Sequence, residues 1–200
     1  MLKALIFDLG NVLVPFDFKR AYARLEQVTP YSTDDIRARL RSTGLVTRFE
    51  TGQVAAEQFV EEFSSLLGFK TSYAQFCELW SSIFLPEALI REPLVASLRK
   101  RYRLVLLSNT NPIHFSMVKA NYPIVRHFDD FVLSHEVGAV KPAERIYREA
   151  IKRAGCQAAE CFFTDDLLVN IEAASALGMD AVQFLSAQQL EDELRRRGAL

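Results

Sequence analysis

The apolar and polar positions along the chain alternate between short uninterrupted hydrophobic runs and longer stretches of helical period. Ala4, Leu5, Ile6 and Phe7 form the first run, and Asp8 ends it. A continuous run of this length suits a parallel strand covered by helices on both faces. Gly10 and Asn11 then break the strand. Four further runs have the same character: Leu104 to Leu107, Phe131 to Leu133, Cys161 to Phe163 and Ala181 to Leu185. Helical patterns separate them, with Pro112 and Pro142 placed where helices begin and Gly155 and Gly178 where they end. The alternation predicts an α/β fold built on a parallel sheet.

Residues 15 to 88 have a different texture, with no convincing strand and several amphipathic helix patterns. They read as an inserted helical unit. Phe59, Phe63, Leu66 and Leu67 share one helical face, and Tyr73, Phe76, Trp80, Ile83 and Phe84 recur at the same kind of spacing, as helix packing requires. Ser32 or Thr33 is placed to cap another helix, with Asp34 and Asp35 in its first turn.

Two hundred residues suffice for one good core, or for a core with a smaller inserted unit. The net charge of -1 and the pI near 6.3 provide no large basic field, so a nucleic-acid partner is not expected and a small molecule is. Arg195, Arg196 and Arg197, the one strong basic run, end a helix-like stretch where cations favour the dipole. Cys77, Cys156 and Cys161 are odd in number and lack metal-ligand spacing, as expected of reduced core thiols in a cytosolic protein. Asp8 and the turn after it interrupt the first apolar stretch, so no signal peptide is expected there. No later run could span a bilayer, and a soluble cytoplasmic protein follows.

In an open α/β sheet, ligands bind outside the carboxyl ends of the strands. Asp8 ends the first run, Ser108 and Asn109 the second, and Asp165 and Asp166 the fourth, while Lys141 begins the helix after the third. A carboxylate at the end of a buried strand is costly unless it has chemistry to do. Together these groups suit a divalent metal and a phosphate: Mg²⁺ takes oxygen ligands, one or two of them carboxylates, and Asp8 and Asp166 are candidates. A carboxylate such as Asp8 can also attack phosphorus, dividing one hard displacement into two. Lys141, Ser108 and Asn109 would then hold the phosphoryl oxygens.

LIFDLGNVL, LLSNTN, the Lys141-Pro142 pair, and FFTDD followed by Asn170 resemble, in order, the four motifs of the haloacid dehalogenase-like superfamily of hydrolases. The resemblance spans nearly the whole chain. It implies a Rossmann-like core at residues 1 to 14 and 89 to 200, with residues 15 to 88 as a helical cap. It further implies Asp8 as nucleophile and Mg²⁺ ligand, Asp166 as second metal ligand, Asp165 as its assistant, Ser108 and Asn109 as phosphate binders, and Lys141 as the neutralising cation. The FDLGNV form and the cap resemble a branch with sugar-phosphate phosphatases acting on glucose 1-phosphate. The activity implied is hydrolysis of a small phosphorylated metabolite.

One departure qualifies this. Phosphatases of the family usually carry a second aspartate two residues after the nucleophile, and here that position is Gly10. Glycine keeps the main-chain carbonyl that binds the metal and loses the carboxylate that protonates the leaving group and activates water. Such a group is worth about 10²- to 10⁴-fold in rate. Three compensations are open: a substrate with a good leaving group, another residue with Asp17 as the nearest in sequence, or a relay through water or substrate hydroxyls.

Two other readings share these residues. A 2-haloacid dehalogenase also uses a nucleophilic aspartate and needs no metal, although the Asp165-Asp166 pair would repel its carboxylate substrate. A non-catalytic phosphate-binding protein would have lost turnover with Gly10. His114, His127 and His135 are scattered without ligand spacing. Arg48, Phe49, Glu50, Thr51 and Gly52 fall between cap helices, where this family often places substrate-selecting groups and where a plain turn is the alternative. No G-x-G-x-x-G or P-loop pattern occurs, which argues against a nucleotide cofactor.

Overall fold

In the computed structural model, which describes residues 1–200, five strands form one parallel sheet. They are β1 (Ala4–Phe7), β2 (Arg103–Ser108), β3 (Asp130–Leu133), β4 (Cys161–Asp165) and β5 (Asp180–Gln183), in the order β3-β2-β1-β4-β5. β1 is central and wholly buried, which explains its unbroken apolar sequence. Its alternate side chains feed two cores. Leu5 and Phe7 join Leu104, Leu106 and Phe162 on one face, whereas Ala4 and Ile6 join Val105, Leu107 and Phe163 on the other.

Helices cover both faces. α6 (Glu92–Arg99), α7 (Pro112–Asn121) and α11 (Ala187–Arg196) place Val95, Leu98, Val118, Leu190 and Leu194 against the first face. α9 (Glu144–Ala154) and α10 (Leu168–Ala176) bring Ile146, Tyr147, Ala150 and Ile171 to the second. A one-turn helix, α8 (Ser134–Val137), follows β3. Pro112 is the first residue of α7 behind an Asn111 cap, whereas Pro142 stands before the Ala143 cap of α9, two residues ahead of the helix start.

Between β1 and α6 the chain forms α1 (Phe18–Glu26), α2 (Thr33–Thr43), α3 (Leu45–Glu50), α4 (Ala56–Leu67) and α5 (Tyr73–Trp80), then a 3-10 turn, Ser81–Ile83. Ser32 caps α2 through a reciprocal box with Asp35. These helices have a third core of their own, where Phe59 meets Phe49, Phe63, Phe76 and Trp80 with ring centroids 4.0–5.8 Å apart. Ile113 of α7 belongs to this cluster, so the helical layer and the sheet layer share a seam.

Two expectations fail locally. Tyr73, grouped by spacing with the buried aromatics, opens α5 and is exposed. The fifth apolar run does not stay in the sheet to Leu185: β5 ends at Gln183, and Leu185 is 72% exposed just before the Ser186 cap of α11. Run length overstates a strand at a sheet edge, where one side has no pairing partner to hold it. The three cysteines are free, and Cys77 and Cys156 are only partly buried. No helix is long and apolar enough to cross a membrane.

Candidate active site

Parallel strands deliver their last residues to one edge, and there β1, β2 and β4 present Asp8, Ser108 and Asp165. The Asp8 main-chain N–H donates to the Thr164 carbonyl at 2.9 Å, extending the ladder one step past β1 and fixing where its side chain emerges. Lys141 enters from the loop after α8. Its Nζ donates to Asp8 Oδ1 at 2.6 Å, to Asp165 Oδ2 at 2.6 Å and to the Leu107 carbonyl at 3.3 Å. An ammonium with this burial stays charged because two carboxylates face it, and their pull raises its pKa against the desolvation that would lower it.

Asp165 is fully buried and engaged at both oxygens, with Oδ1 accepting from the Leu167 N–H and from Asn170 Nδ2, each at 2.9 Å. Asp166 is more open and accepts a 3.4 Å hydrogen bond from Asn11 Nδ2. One oxygen from each of Asp8, Asp165 and Asp166 lies within 4.8 Å of the others. Burial pushes Asp8 up to about 7 despite the Lys141 charge, and Asp165 adds to that rise. Burial and Asp165 also raise Asp166. Three carboxylates thus share the site with a single ammonium, a surplus of negative charge on hard oxygen donors that fits a divalent cation such as Mg²⁺.

Ser108 is buried beside these groups in the wall of the same cavity. The amide of Asn109, an expected phosphate binder, makes its hydrogen bonds to Lys141. Nδ2 donates to the Lys141 carbonyl at 3.0 Å and Oδ1 accepts from the Lys141 N–H at 2.7 Å. The side chain therefore positions Lys141. The sequence reading also passed over Asn11 as a mere strand breaker. It adopts φ of 53°, a left-handed conformation that asparagine tolerates, and binds both Asp166 and, at 3.3 Å through Oδ1, the Phe16 N–H.

The place that an acidic residue at position 10 would occupy is filled. A Cβ built on Gly10 would lie 2.5 Å from Cε1 and 3.2 Å from Cδ1 of Phe16. That ring packs edge-on against Phe18 and Phe84. Asp17 offers no replacement, because it caps α1 by accepting from the Lys19 N–H at 2.9 Å, out at the surface. Nor does His114: Nδ1 meets Asn111 Nδ2 at 3.1 Å and Nε2 meets the Trp80 carbonyl at 3.0 Å, which assigns the proton to Nε2. Burial pushes it down to about 4, so the ring is neutral. His127 pairs with Glu92, and His135 donates from Nδ1 to the Thr110 carbonyl.

Above Asp8 lies a cavity of about 260 Å³, a size for a small ligand. The helical layer contributes Phe18, Glu50, Ile83 and Phe84 to its wall. Glu50 ends α3, and burial, opposed by no hydrogen bond or ion pair, pushes its carboxyl up to about 7. The turn after it is locked to the sheet layer. Gly52 has φ of 70°, and a Cβ there would stand 2.0 Å from the His135 carbonyl oxygen. In sequence, Glu50 stood in the Arg48 to Gly52 stretch, open to a substrate-selecting role or to a plain turn.

The profile of haloacid dehalogenase-like hydrolases matches residues 2–178. The chain is 28% identical over 200 residues to D-ribitol-5-phosphate phosphatase of Bacteroides thetaiotaomicron, covering 97% of each. A Mycobacterium tuberculosis protein named as a phosphatase is 25% identical, with 98% of this chain and 93% of that one covered. Among solved structures, a HAD family enzyme of Bacteroides thetaiotaomicron in complex with magnesium and inorganic phosphate superposes with a TM-score of 0.84 at 27% identity, over 93% of this chain and 96% of that one.

Proposed function

Because the chain belongs to the haloacid dehalogenase-like hydrolases and is a phosphatase of that family, we propose that it hydrolyses a small sugar or sugar-alcohol phosphate through an aspartyl phosphate on Asp8, with Mg²⁺ as cofactor. The observation that carries this reading is the buried chain Asp8–Lys141–Asp165 at the head of the sheet, with Asp166 close by. Asp8, Asp166 and the Gly10 carbonyl would hold the metal, and its charge would offset that of the two anions brought together there.

Asp8 forms the new bond to phosphorus. Lys141, held by Asp165 from the side and by Asn109 along its main chain, neutralises the phosphoryl group. The Ser108 hydroxyl and the Asn109 main-chain N–H bind its oxygens. Asp165 keeps Lys141 in place and leaves direct ligation to the more open Asp166. The helices of residues 15 to 88 act as a cap that keeps bulk water from the reacting centre. A 2-haloacid would bring another carboxylate towards three already present, which disfavours the dehalogenase alternative.

The test is hydrolysis of 4-nitrophenyl phosphate by the magnesium-loaded chain. Asp8→Asn is expected to abolish turnover, and a chelator to do the same to the wild type. Turnover that persists in chelator would refute the mechanism.

A further inference from the structure

An in-line displacement fixes where a proton is needed. Asp8 approaches phosphorus from the sheet, so the departing oxygen leaves on the opposite side, beneath the helical layer. Water later attacks from that same side when it hydrolyses the acyl phosphate. Of the residues that the helical layer gives to this wall, Glu50 alone is ionisable. His114 also reaches the cavity, but both ring nitrogens are occupied. The Gly10 position is closed by Phe16, and Asp17 is a surface cap.

We propose that the Glu50 carboxyl is the general acid and base of this site, reaching in from the helical layer in place of the side chain that Gly10 lacks. This assignment rests on the phosphatase reading. In the first half-reaction the Asp8 oxygen bonds to phosphorus, the ester P–O bond breaks, and the leaving oxygen takes the Glu50 proton. In the second, a water oxygen bonds to phosphorus as its proton passes to the Glu50 carboxylate. The P–O bond to Asp8 then breaks, releasing phosphate and restoring both carboxyl groups. A carboxyl near neutrality can hold its proton for the first half and accept one in the second.

The surroundings agree. Arg48, on the same helix, is paired with Glu62 of α4 and does not draw the Glu50 proton away. On α8, which packs against α3, His135 is tied to Thr110 and Glu136 is exposed. Arg145 of α9 reaches the same turn, its guanidinium and the Thr51 carbonyl both lying 3.8–3.9 Å from a Cβ built on Gly138, and it is not part of the cavity wall. The other charged groups of the cavity, Asp8, Asp166 and Lys141, sit on its sheet side.

Three esters separate the roles: 4-nitrophenyl phosphate, whose leaving group departs without a proton; butyl phosphate, which needs one and has no hydroxyls to be recognised; and ribitol 5-phosphate. In Glu50→Gln, kcat/KM should fall by at least about 10²-fold for both alkyl esters and by less than about threefold for the aryl ester. With the aryl ester, kcat should still drop, with a burst of one nitrophenolate per site, because the acyl phosphate now lacks its base. In the wild type, kcat/KM for butyl phosphate should decline as pH rises through 7 relative to the aryl ester, whose profile controls for Asp8, Asp166 and Lys141. Equal losses on all three esters, a loss confined to ribitol 5-phosphate, or parallel pH profiles would overturn the assignment. A wild type inactive on all three would instead overturn the phosphatase reading and this one with it.

Discussion

Replacing Gly10 by alanine tests whether Phe16 really fills the space of the missing side chain. A Cβ at this position stands 2.5 Å from a ring carbon, against the 3.5–4.0 Å at which carbon atoms attract, an overlap of about 1 Å. The ring cannot simply turn away. Phe18 and Phe84 flank it at centroid distances of 5.2 and 6.4 Å, and its main chain is tied to Asn11. Overpacking of this kind costs about 1–3 kcal/mol. In a chain of this length that lowers the melting midpoint by roughly 2–12 °C. The informative measurement is a double-mutant cycle with Phe16→Ala, read by urea unfolding. With the ring gone, Gly10→Ala should be neutral or stabilising by up to about 1 kcal/mol, since alanine restricts the unfolded chain. The coupling energy should therefore be about 1–4 kcal/mol. An equal cost in both backgrounds, or none in the wild type, would mean that Phe16 does not fill the space beside Gly10.

Three other outcomes follow from the same geometry. Lys141→Met strips the shared ammonium from two buried carboxylates and should cost about 3–5 kcal/mol at pH 7 in urea unfolding. Gly52→Ala meets both a positive φ and the His135 carbonyl, so calorimetry should show a loss of about 1–3 kcal/mol, with hydrolysis of alkyl phosphates falling more than that of aryl phosphates as Glu50 is displaced. Glu50→Gln should raise stability while lowering activity. The folded-state pKa near 7 lies above the ordinary value of 4.5, so the folded chain binds the extra proton, and stability drains away as pH rises from about 4.5 through 7. A neutral glutamine escapes this loss, and unfolding at pH 8 should show a gain of roughly 1–3 kcal/mol that vanishes near pH 4.

Much of this architecture is written in short-range pattern. The runs around Ile6, Val105, Val132 and Phe163 are apolar because those strands are covered on both faces, and a run of polar residues at each end follows from parallel strands delivering them to one edge. Asp8, Ser108 and Asp166 were accessible for that reason, whereas Lys141 arrives from the loop after α8. The bonds of the Asn109 amide to Lys141 span 32 residues and left no trace in sequence, since an amide after a strand looks the same whether it meets a ligand or a neighbouring loop. Glu50 was legible only as one of five residues in a substrate-facing stretch, since the burial that sets it apart from its neighbours comes from the fold and is not local. The filling of position 10 by Phe16 is equally a property of the folded turn, although only six residues separate the two.

The seam at α7 bears on how such a protein can be recombined. Ile113 lies in the aromatic core of the helical layer, and His114 next to it stacks on Trp80 and bonds its carbonyl. The helical layer is consequently not a cassette that ends where its own sequence ends. A chimaera that imported residues 15 to 88 onto another sheet would leave a hole where Ile113 stood and an unpaired Trp80 carbonyl. Exchange of substrate-facing helices should succeed only when the first turn of α7 travels with them.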